Sequence, residues 1–96
     1  MRLGGPERRL HALRDEVRRL REQVRVLDEQ VAYVEGLAEE ARTKALVAQT
    51  PLAERERADA EEDARRARAQ RDEAAGRVAA LLAEQDRILE GMLEQR

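Results

Sequence analysis

The chain has 96 residues, room for one small domain. Charged residues make up 42% of it, against ~25% in average globular chains, and Tyr33 is the single aromatic, so few bulky groups exist for a compact core. Nineteen basic and 21 acidic residues give a net charge of −2, which provides no general pull toward nucleic acid, and the lack of Cys excludes disulfides, thiolate metal sites and thiol nucleophiles.

Residues 1–5 read as a short flexible leader. Gly5-Pro6-Glu7 reads as a helix start, with Pro6 at the first helical position and Glu7 near the positive end of the helix dipole. A first helix is expected over about residues 6–48. Its apolar residues recur at alternating steps of three and four: Leu10, Leu13, Val17, Leu20, Val24, Leu27, Val31, Val34, Ala38, Ala41, Ala45, Ala48. A strict 3.5-residue repeat keeps one stripe facing a partner helix and implies a left-handed coiled coil. The stripe is Leu and Val as far as Val34 and Ala beyond it. Gly36 falls on the outward face.

The break is Gln49-Thr50-Pro51. Proline pushes the preceding residue out of the α region, so the first helix should end near Ala48. Thr50 can cap the next helix and Pro51 can open it. With no Gly in the connection, a tight turn without a left-handed residue is expected. The alternative is one continuous helix kinked at Pro51, which would leave both stripes to find partners elsewhere.

A second helix is expected over about residues 51–94. Its stripe is Ala53, Arg57, Ala60, Ala64, Ala67, Arg71, Ala74, Val78, Leu81, Gln85, Ile88, Met92, with Arg57, Arg71 and Gln85 as polar interruptions. Folding the chain at Thr50 brings residues whose numbers total about 101 opposite each other. Ala41 then meets Ala60 and Ala38 meets Ala64, whereas Leu20 meets Leu81 and Leu13 meets Ile88. Small faces small near the turn and large faces large at the open end, and the Ala layers should let the helices approach closely. The charges agree weakly: residues 1–25 carry eight Arg against four acids, and residues 76–96 carry three Arg against four acids. The fold class expected is therefore all-α, a two-helix antiparallel coiled-coil hairpin forming one domain over 6–96.

At the open end the second helix carries further apolar residues beside its stripe: Ala75, Ala79, Leu82, Leu89 and Leu93. Two helices cannot cover so wide a stripe. A second copy of the chain, giving a four-helix-bundle dimer, is the simplest cover. Its interface would draw on Leu10, Leu13, Val17, Leu20, Val24 and Leu27 with Val78, Leu81, Leu82, Ile88, Leu89, Met92 and Leu93.

Catalysis has almost no raw material. There is no Ser, Cys or Asn, and His11, the sole histidine, falls in an early helical turn beside Arg8 and Arg9. The acidic runs Glu39-Glu40 and Glu61-Glu62-Asp63 lack the Glu-x-x-His spacing of di-metal bundles and read as solvated surface. No metal, cofactor or catalytic residue is expected. Arg14, Arg18, Arg21 and Arg25 lie along one flank of the first helix. They read as ordinary flanking charge or, less simply, as a phosphate contact, but Asp15, Glu16 and Glu22 are interleaved and no aromatic is near for stacking. Arg57, Arg71 and Gln85 are spaced by 14; the arginines read as laying their stems along the stripe with their heads lifted out, and the functional alternative is a polar device that fixes register or contacts an anion or partner. Val26, Tyr33 and Val47 recur outward and form a candidate second stripe. No apolar run reaches the ~18 residues of a membrane span and no signal-peptide apolar region is present, so the cytoplasm is the expected compartment.

The function these features point to is a non-enzymatic interaction or scaffold protein that self-associates and docks partner helices. The alternative is a small regulatory binding protein, anti-sigma-like or an adaptor, holding a transcription or signalling partner with or without an anionic ligand.

Overall fold

A computed structural model describes residues 4–95. It shows an all-α hairpin of α1, Gly5–Ala48, and α2, Pro51–Glu94, with no strand among the described residues. Residues 1–3 of the expected leader lie outside the described residues.

Helix α1 starts one residue earlier than the sequence suggests. The Gly4 carbonyl accepts the Arg8 N–H at 3.0 Å, so Gly5 is the first helical residue and Pro6 the second. The shift is harmless, because the first four N–H groups of a helix have no acceptor within it and a missing one at Pro6 loses nothing.

The turn corrects one expectation. Gln49 adopts φ 51°, the left-handed region, although a turn without such a residue was expected from the lack of Gly. The physical cause lies one residue on. Thr50 precedes Pro51, whose ring disfavours the α region for the residue before it, and the reversal falls on Gln49. The Gln49 N–H still donates to the Ala45 carbonyl at 3.0 Å, which closes the last turn of α1. Thr50 caps α2: its Oγ1 accepts the Ala53 N–H at 3.1 Å and its carbonyl accepts the Glu54 N–H at 3.1 Å.

Every stripe position of both helices is buried or half-buried except Ala48 at the turn. The chain divides into two compact units. In the first, Met1–Val24 with Glu73–Arg96, Leu13 and Ala74 have no exposed surface and Val17 is buried. Leu10, Leu20, Val24, Val78, Leu81, Ile88 and Met92 are half-buried around them. Leu13 is the one large side chain fully buried among the described residues.

In the second unit, Arg25–Asp72, the core is Val31, Ala38, Ala53 and Ala64. An Ala side chain is a single methyl group, so covering Ala38 and Ala64 almost completely requires the opposite helix to come close. Two ion pairs straddle this unit: Arg42 Nη1 to Glu61 Oε1 at 3.2 Å, and Arg71 Nη1 to Asp28 Oδ1 at 3.7 Å. Both agree with the register that sets Ala38 near Ala64. Leu27 and Val34 are half-buried here.

Three substitutions test this packing by thermal unfolding followed by circular dichroism, at one fixed protein concentration. Leu13→Ala leaves a hole in the first unit's core and should cost about 2–5 kcal/mol. Gln49→Gly removes the left-handed penalty and should stabilise by about 1 kcal/mol, or ~4–8 °C in Tm. Gly36→Ala, where an added Cβ meets nothing within 4 Å, should gain roughly 0.5–1 kcal/mol.

Candidate functional site

Within the unit formed by residues 1–24 and 73–96, the two flanks of the stripe differ. On one flank Arg9 bridges to Glu84 across the helices. Its Nε donates to Glu84 Oε2 at 2.6 Å and its Nη2 to Oε1 at 2.9 Å, a bidentate fork. That hydrogen-bonded guanidinium holds the Glu84 carboxyl below the usual carboxylate range, and the carboxylate in turn raises Arg9.

The opposite flank is open. Leu82 and Leu89 of α2 stand beside Arg14, Arg18 and Arg21 of α1, and between them runs a groove of about 820 Å³ lined by Arg14, Val17, Arg18, Arg21, Leu82 and Gln85 among others. A smaller concavity adjoins it, lined by Glu7, Leu10, His11, Arg14, Gln85 and Leu89. Leu89 is 43% exposed and Leu93 66% exposed. Arg18 lies 3.9 Å from Asp15, both well exposed. Among the described residues Arg14 and Arg21 have no ion pair. The groove thus has Val17, Leu82 and Gln85 along its floor, and its α1 side carries the guanidinium groups of Arg14, Arg18, Arg19 and Arg21 with the carboxylate of Glu22 among them.

The other candidates are distributed elsewhere. Arg57 and Arg71 lay their stems along the stripe of the second unit and turn their heads to carboxylates. Arg57 bonds Glu54 at 2.7 Å and Glu61 at 2.5 Å, and Arg71 bonds Asp72 at 3.0 Å besides Asp28. The Arg57 hydrogen bond lowers the Glu54 carboxyl. Gln85 lies in the first unit as part of the groove floor. The acidic run is less solvated than expected: Glu61 and Glu62 are half-buried, with Glu61 shared by Arg42 and Arg57, and Glu62 taken by Arg65 and Arg66. Arg25 pairs with Glu29 at 2.7 Å. His11 is exposed. Among the described residues no group of acids or histidine is placed to hold a metal ion, no polar side-chain atom is buried without a partner, and no helix is long and apolar enough to cross a membrane.

Val26, Tyr33 and Val47 are all exposed, Val47 by 82%. The structure adds Leu46 and Leu52 beside Val47, so the turn of the second unit presents three large apolar side chains, with a concavity lined by Lys44, Val47, Leu52 and Ala53 among others. Sequence reading missed Leu46 and Leu52 because neither sits on the stripe. It also missed the Arg9–Glu84 bridge, whose partners are 75 residues apart.

Comparison with protein-family models, with curated proteins and with solved structures gives no match.

The ion pairs set a pH dependence. Glu84 and Glu54 have lowered pKa values in the folded chain, so the unfolded chain binds more protons through the carboxylate range. Their contribution is fully present above the ordinary glutamate value of about 4.3 and is lost as pH falls through the folded value. Acid unfolding should therefore steepen below that point, and Glu84→Gln should flatten the profile there while leaving its shape near neutral pH unchanged.

Proposed function

We propose that this protein is a non-enzymatic helical interaction module that self-associates through the open-flanked groove of its first unit. The observation that carries the reading is the row Leu82, Leu89 and Leu93, only partly covered by the hairpin itself. Full burial of one leucine is worth about 1.5–3 kcal/mol. A second copy would cover the row from each side and complete the burial of Leu10 and Met92, which one hairpin leaves half done. The 3.5-residue repeat supports the same reading, since it is the pattern by which helices pack in bundles. The residue inventory supports a binding role over chemistry, with one histidine and no serine or cysteine.

Size-exclusion chromatography with light scattering at micromolar concentration tests the reading. The expected mass is twice the 11.0 kDa of one chain. A Leu89→Glu, Leu93→Glu variant should elute as a monomer with its helical circular dichroism kept, because both side chains are substantially exposed in the single hairpin. A monomeric wild-type chain overturns the proposal.

A further inference from the structure

The sole histidine of the chain lies in the surface that a second copy would cover. His11 of α1 lines the smaller concavity together with Glu7, Leu10, Arg14, Gln85 and Leu89. It is exposed in the single hairpin. An occupant seated on Leu10 and Leu89 must also close over the imidazole that shares their concavity. Imidazole changes charge at about pH 6.5, and with no Cys present no other side-chain type in this sequence ordinarily titrates between about pH 5 and 8.

The charges around His11 decide which form a covered state prefers. On α1, Glu7 and Arg14 share its concavity, and Arg8 and Asp15, three residues before and four after it, are exposed. From α2 the lining residues are Gln85 and Leu89, both uncharged, while Asp86 and Glu90 are exposed and line neither concavity. Glu7 and Arg14 balance. The concavity is therefore neutral around a neutral imidazole and holds one excess positive charge around an imidazolium. A two-fold contact brings each surface against a copy of itself. The charged residues of the two concavities are Arg14, Arg18, Arg19 and Arg21 against Glu7 and Glu22, so the surface arriving over His11 is already positive on balance. Covering an imidazolium there strips its water and sets it among like charges, and both effects oppose the charged form.

We infer that self-association through this groove is proton-linked, with His11 as the switch: the dimer holds His11 neutral and comes apart as the imidazole takes up a proton. This rests on the self-association proposed above and adds its regulation. The assembled form binds protons less readily than the single hairpin. Association is therefore strongest above the imidazole range and weakens as pH falls through it. A dimer holds two copies of His11, so disfavouring protonation by one pH unit at each site lowers the association constant by as much as ~100-fold.

Sedimentation equilibrium at about pH 8 and about pH 5.5, at one ionic strength and with circular dichroism recorded at both, tests this. The lower value stays above the range in which Glu54 and Glu84 lose their charge, so the hairpin itself keeps its helix. The wild-type dimer dissociation constant should be at least ~10-fold larger at the lower pH. His11→Gln cannot take the proton and should keep the tight value at both. His11→Lys carries the charge throughout and should keep the weak value at both. The single imidazole gives a second readout: the midpoint of its ring-proton titration by NMR should move to lower pH as protein concentration rises through the dissociation constant. If wild type is a dimer of equal strength at both pH values, or a tighter one at the lower, or if His11→Gln keeps the dependence, the switch is wrong and self-association stands. If wild type is monomeric at both, the parent reading falls and the switch falls with it.

Discussion

A proline placed after a threonine governs this molecule. Pro51 has no N–H and clashes with a helical residue before it, so α1 cannot run on into α2. Thr50 sits between the two helices and caps α2 with its hydroxyl. The remaining reversal concentrates on Gln49, which adopts a left-handed conformation that Gly would adopt more easily. The return of the chain follows from this step, and with it the meeting of the two stripes.

What the stripes do on meeting depends on side-chain volume. In the unit Arg25–Asp72 the core is largely methyl groups, and ion pairs such as Arg42–Glu61 and Asp28–Arg71 span the helices beside them. Arg57 and Arg71 interrupt this stripe without leaving a buried charge unpaired, because their apolar stems take the stripe positions and their heads reach carboxylates. Exposed pairs of this kind each contribute little and are weakened by salt. They fix register more than they hold the unit together.

In the unit of residues 1–24 and 73–96 the side chains are larger, and their larger apolar surface is unevenly covered. The flank closed by Arg9 and Glu84 is finished within one chain. The flank carrying Leu82, Leu89 and Leu93 is not, and Leu89 and Leu93 stay exposed there. An apolar face of this width is costly in water, and two helices have no third side from which to cover it. The proposed role follows from that imbalance, with the leucines supplying the driving force.

Much of this was legible in the residues. The unbroken three-and-four spacing determined two amphipathic helices, and the positions it marked are covered in all but Ala48 at the turn, because a helix stripe is a local, periodic property. Thr50-Pro51 likewise determined where α2 begins, since capping and proline sterics act over a few residues. The widening of the stripe by Leu82, Leu89 and Leu93 was visible for the same reason. Tertiary structure alone decided two things. Arg9 found Glu84 from 75 residues away, so that one flank closed and the other stayed open. Arg71 reached Asp28 and Arg42 reached Glu61 across the helices, whereas Arg14 and Arg21 were left at the edge of a groove. Each of these depends on which residues of the other helix arrive alongside, and a one-dimensional repeat carries no record of that.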